Sequence, residues 1–163
     1  MEPAPASGAT GPRRRLLLPD TDATRDLAAN LAQLARRGDV IGLVGPLGAG
    51  KTTFARSFIG ALGGTDLVPS PTWSLVEQHS TGAGDVWHFD LHRLERADDV
   101  WELGLEDALA DGITLIEWPE IVERLLPPAR LTLRLDHAGT GRTVTLEPGA
   151  TWGSRLQKVA DNG

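Results

Sequence analysis

Residues 39–54 read DVIGLVGPLGAGKTTF, and this stretch decides the architecture. Val40-Ile41-Gly42-Leu43-Val44 is an apolar run without polar alternation, as in a strand buried on both faces. It meets Gly45-Pro46-Leu47-Gly48-Ala49-Gly50-Lys51-Thr52, and a helical pattern begins at once. The spacing is G-x-x-x-x-G-K-[ST] in its required strand–loop–helix context, which predicts a phosphate-binding P-loop. Gly45, Gly48 and Gly50 permit the positive φ angles that turn backbone N–H groups inward around an anion. The following helix aims its free N–H groups at the same phosphates. Lys51 is placed to reach the β- and γ-phosphates, and the Thr52 hydroxyl to ligate Mg²⁺. A glycine-rich turn with no ligand is the plainer alternative. Against it, the chain has sixteen Lys and Arg, only Lys51 and Lys158 are lysines, and one of them stands here. A compact ammonium fits a tight phosphate cradle where a planar guanidinium does not.

A chain of 163 residues fits one domain with its own core. Residues 1–15, small, polar and Pro-rich before three arginines, read as a disordered tail, and 16–163 as a single domain. The absence of cysteine excludes disulfides and thiolate metal sites. With no apolar run long enough for a membrane span, the expected location is cytoplasmic. A net charge of −6 lacks the broad positive field that a nucleic-acid backbone demands, so any RNA connection is expected to run through a partner. Arg13 to Arg15 read as part of the solvated tail.

Outward from the loop, Leu16 to Leu18 predict a first strand, and Pro19-Asp20-Thr21-Asp22 a turn with N-cap chemistry. Leu27, Leu31, Leu34 and Ala35 share one face of a helix ending at Gly38. Phe54, Phe58, Ile59 and Leu62 define the core face of the helix after the P-loop. Trp73–Glu77 and Asp85–Leu91 predict an antiparallel pair about a Ser80–Gly84 turn, so the sheet is mixed. Short helices broken at Gly104 follow, then Ile113–Ile116 as a buried central strand and a helix over Glu120–Leu126. A hairpin of Leu131–Leu135 and Thr143–Leu146, with one wet face, precedes a last short helix from Trp152 to Ala160. The fold class is α/β: a P-loop NTPase-like three-layer fold whose mixed sheet contains antiparallel hairpins.

A P-loop needs an acid at the C-terminal end of a neighbouring strand. Glu117 follows the central strand and is the better metal-side carboxylate; Asp90 follows Val86–Phe89 and would orient or deprotonate the attacking water, with the roles exchangeable. Trp118 stands between stacking on a purine and packing. His88 reads as a packed imidazole. Arg93, Arg96 and Arg142 are available to meet transition-state charge.

GPLGAGKTTFAR, SPTWSLV, VWHFDLHRL and LIEWPE, in this order and spacing, resemble the bacterial TsaE (YjeE) family over residues 16–147. The resemblance implies a MgATP-dependent ATPase, weak alone, acting beside TsaB and TsaD. TsaD transfers threonylcarbamoyl to an adenosine next to the tRNA anticodon, and the ATPase supports turnover by resetting the TsaB–TsaD complex. By matching motif it implies that residues 48–53 hold the phosphates, with Thr52 and Glu117 on Mg²⁺ and Asp90 the acid of the HFD motif. Trp118 matches the aromatic near the adenine, Thr72 a switch-like SPT loop, and Thr21 and Arg142 positions that approach the nucleotide. Three departures stand out: Pro46 where Asp or Glu is usual, Trp73 for Phe or Tyr, and His92 for Tyr, the last two reading as packing changes. The alternatives are a free-standing small-molecule kinase, disfavoured because no long basic insertion offers a lid, and a nucleotide-gated binding module without hydrolysis.

Overall fold

The computed structural model describes residues 12–64 and 75–161. Seven strands form one mixed sheet: β1 Arg14–Leu18, β2 Val40–Val44, β3 Val76–Thr81, β4 Gly84–Asp90, β5 Ile113–Glu117, β6 Leu131–Ala138 and β7 Gly141–Pro148, in the order β1-β7-β6-β2-β5-β4-β3. The central strands β6, β2, β5 and β4 pair in parallel, whereas β1–β7, β6–β7 and β3–β4 are antiparallel. β5 is buried along its whole length between β2 and β4, as its unbroken apolar run requires.

Helices α1 Thr21–Leu34 and α2 Lys51–Ala61 cover one face. They enclose a core of Leu27, Leu31, Phe54, Phe58, Leu43, Leu115, Leu133 and Trp152. Against the other face lie a 3-10 segment Ala97–Leu103, α3 Leu105–Asp111 and a second 3-10 segment Pro119–Leu125, around Phe89, Leu91, Val100, Leu105 and Ile116. The three-layer α/β arrangement expected from the sequence is therefore present. The break at Gly104 is a left-handed residue, φ 95°.

Several boundaries differ from expectation. β1 begins at Arg14, so the boundary expected at residue 16 falls inside this strand. Two of the three arginines read as solvated tail are tied down: Arg14 donates to the Leu156 carbonyl at 3.0 Å, and Arg13, just before the strand, lies 3.7 Å from the buried Glu147, whereas Arg15 is exposed. In the β3–β4 hairpin, Thr81 pairs with Gly84, leaving a two-residue turn, Gly82-Ala83, closed by the Thr81 hydroxyl. β3 thus runs over Val76–Thr81 rather than Trp73–Glu77; Trp73 itself lies outside the described residues. β6 and β7 likewise pair up to Ala138–Gly141, and Thr143, Thr145 and Arg134 form the half-buried, wetter face of that hairpin. The helix expected over Glu120–Leu126 is a 3-10 segment kinked at Val122.

α1 is capped by Asp20, whose carboxylate accepts from the Ala23 N–H at 2.9 Å. It stops at Leu34, short of Gly38, where Ala35 turns extended (ψ 149°) and a distant side chain takes the Leu34 carbonyl. Arg155, on α4 Gly153–Asp161, donates to the Leu34 carbonyl at 2.9 Å and to both oxygens of Asp39 at 2.7 and 3.1 Å. Its guanidinium also stacks on Trp152, 3.8 Å from the ring centroid. This nearly dry pair (side chains 5% and 10% exposed) ties the C-terminal helix to the residue that enters β2. Arg155→Met strands a buried carboxylate, and the expected loss is about 3–5 kcal/mol; urea unfolding of the full chain measures it.

Candidate functional site

The strand β2 ends where the loop begins, and the C-terminal ends of β5 and β4 lie beside it. Leu43 is in register with Glu117, and Glu117 with Asp90. A P-loop and two carboxylates thus converge at the same edge of the parallel strands, where ligands bind in open α/β sheets. Gly45, Gly48 and Gly50 all take positive φ, at 151°, 78° and 103°. At Gly45 a Cβ would stand 2.3 Å from the Leu135 carbonyl oxygen, so nothing larger fits. Gly50 then serves as the N-cap of α2 and, as a glycine, offers the freed amides no side-chain cap.

Lys51 is buried, 4% exposed, although it is charged. Its ammonium donates to the Gly45 carbonyl at 2.5 Å and sits 3.5 Å from the centroid of the Trp118 ring. Burial pushes its pKa below the usual lysine value; Glu117, then Glu120 and Asp90, pull the other way. Trp118 itself is left-handed, φ 62°, the one described non-glycine residue with positive φ. That conformation is unusual for a bulky residue before proline and costs of order 1–3 kcal/mol. It places the indole between the lysine and the apolar cluster on the far face.

The Thr52 hydroxyl donates to Glu117, 3.0 and 3.1 Å from its two oxygens. Glu117 is 2% exposed and receives a second contact, 2.7 Å, from His88 Nε2. Asp90 meets His92, whose Nδ1 lies 2.7 Å from Oδ1. His92 is exposed, so it is not the packing change that its sequence position suggested. His88 is packed as expected, yet it also bonds Glu117, which the sequence reading missed. The available signal was the spacing: His88 and Asp90, two apart on a strand, share a face.

These groups line a cleft of about 590 Å³. Leu18, Pro19, Thr21 and Thr24 form the wall from β1 and α1, and Gly141 and Arg142 the wall from β7. Arg142 donates to the Gly48 carbonyl at 3.1 Å, which brings this arginine, of the three considered, into contact with the P-loop. Ala49 is buried beneath the loop; Thr53 lines the cleft; Leu47, 75% exposed, crowns the loop. The structure therefore brings together Thr21, Gly45, Gly48, Ala49, Gly50, Lys51, Thr52, Thr53, Asp90, Glu117, Trp118 and Arg142, while Thr72 lies outside the described residues.

Among the described residues no cluster of three or more His, Asp or Glu side chains is arranged to hold a metal alone. The pairing of one hydroxyl with one carboxylate suits Mg²⁺, which takes one or two protein ligands and completes its shell with water and phosphate. Also among the described residues, no helix is long and apolar enough to cross a membrane.

Comparison with known proteins bears on the family and the fold. A family model described as "Threonylcarbamoyl adenosine biosynthesis protein TsaE" matches residues 18–144. The tRNA threonylcarbamoyladenosine biosynthesis protein TsaE of Streptomyces coelicolor is 40% identical over 117 residues, covering 70% of this chain and 79% of that one. The proteins of the same name from Rickettsia felis and Bacillus subtilis are each 38% identical, covering 74% and 71% of this chain and 71% and 73% of theirs. The crystal structure of YdiB from Bacillus subtilis superposes with a TM-score of 0.75 at 25% identity, over 94% of this chain and 97% of that one, and bears out the P-loop NTPase-like fold. By its sequence along most of its length, the chain belongs to the TsaE family of tRNA threonylcarbamoyladenosine biosynthesis proteins.

Proposed function

We propose that the chain binds MgATP in the P-loop cleft and hydrolyses it slowly, with TsaB and TsaD as partners whose turnover the hydrolysis supports. The observation that carries this reading is the Thr52–Glu117 contact directly beneath a glycine-built loop and a buried lysine. The amides of residues 45–53 take the phosphates, and Lys51 exchanges the Gly45 carbonyl for phosphate oxygens. Thr52 and Glu117 would hold Mg²⁺, which would supply positive charge to offset that of the phosphates. Asp90, oriented by His92, takes the position that aligns or deprotonates water. The purine packs against the Leu18, Pro19 and Thr24 wall, near Thr21 and Arg142. Trp118, half-buried in the cleft wall, holds Lys51 against the face of its ring.

A kinase reading gains no support from the site, because the cleft's described walls are accounted for by one nucleotide-sized ligand. The pathway placement rests on the relatives' function, and the tRNA is assigned to the TsaB–TsaD complex rather than to this acidic chain. Phosphate release from ATP, measured for the chain alone and with TsaB and TsaD, tests the proposal. Slow release accelerated by the partners is expected; fast release alone, or none under either condition, contradicts it.

A further inference from the structure

We infer that His88 is a positioning residue, one that sets the rotation of the Glu117 carboxylate and so the affinity of the site for Mg²⁺. This rests on the MgATP reading above. Thr52 Oγ1 is nearly equidistant from the two Glu117 oxygens, 3.0 and 3.1 Å, so its bond does not choose between orientations of the carboxylate plane. The terminal torsion of a glutamate is broad and roughly two-fold. His88 contacts Oε2 at 2.7 Å and removes that freedom. An ionised carboxylate only accepts, so Nε2 carries the proton and donates.

The histidine is itself held. On β4 it is in register with Leu115, two residues before Glu117 on the adjoining strand, and both side chains are 3% exposed. Neither partner can turn toward water instead. The second buried imidazole, His79, has its pKa pushed down, by burial foremost. The arrangement matches the outer-shell partners of metal-binding carboxylates, whose loss costs about 10–100-fold in metal affinity.

A residue of purely structural value would change stability and nothing else, so the test separates the two. ATP affinity of the full chain is measured by calorimetry across a MgCl₂ series and in EDTA, for wild type and for His88→Ala, His88→Asn and His88→Gln. Thermal unfolding of each variant is recorded in parallel. The glutamine amide nitrogen falls where Nε2 stands, whereas the asparagine nitrogen falls nearer the Nδ1 position. His88→Gln is expected to keep the wild-type magnesium requirement. His88→Ala and His88→Asn are expected to raise it about 10–100-fold while leaving affinity in EDTA unchanged. An unchanged magnesium requirement in His88→Asn overturns the inference, as does an equal loss of affinity in EDTA. The Asn–Gln comparison decides the matter if His88→Ala fails to fold. Wild-type protein that gains nothing from magnesium overturns the parent reading as well.

Discussion

Lys51→Ala is expected to lower ATP affinity by about 2–5 kcal/mol, the cost of removing one partner of a buried charge-assisted contact. That corresponds to a roughly 30- to several-thousand-fold rise in Kd, read by calorimetry or by displacement of a fluorescent nucleotide. The fold should survive, because the ammonium is a burden on the ligand-free protein: burial outweighs the pull of Glu117, Glu120 and Asp90 on its pKa. The pH dependence gives an independent check. Between the lowered pKa and the ordinary lysine value, the folded chain binds fewer protons at Lys51 than the unfolded chain. Stability from this group therefore rises with pH through that window. ATP favours the charged lysine, so wild-type affinity should fall over the same alkaline window. Lys51→Ala should flatten both trends.

Asp90→Asn is expected to leave ATP binding near wild type and to reduce hydrolysis about 10²- to 10⁴-fold, the range for a positioned general base. The carboxylate sits next to Glu117 across the β4–β5 pair, but its recorded partner is His92 rather than the Thr52–Glu117 pair beneath the P-loop. Single-turnover phosphate release, alongside a binding isotherm, separates the two quantities. If affinity falls as steeply as hydrolysis, Asp90 belongs with the metal-holding groups and the roles of the two acids must be exchanged.

Much of this site could be read in the sequence because its parts are local. The P-loop places seven functional positions within nine residues, and the apolar runs before Asp90 and Glu117 mark strand ends. The parallel pairing of β4 with β5 then brings the two acids side by side. What escaped the sequence depends on contacts between distant residues. α1 ends at Leu34, whose carbonyl is taken by Arg155, 121 positions later. The hairpin turns are tighter than expected because one threonine hydroxyl and the strand register settle them. His88 looked like core because a strand pattern reports burial but not what lies across the sheet. Trp118 could not be placed from sequence because its left-handed backbone, not its type, aims the ring at Lys51.

The central claim is that glycine-ordered amides, one buried ammonium and the Thr52–Glu117 pair together hold a magnesium-bound triphosphate. Titration of the wild-type chain with ATP in MgCl₂ and in EDTA, followed by calorimetry, tests it most directly. The account predicts saturable binding to one site per chain, tighter with magnesium. No heat and no thermal stabilisation at saturating ATP and magnesium would contradict it.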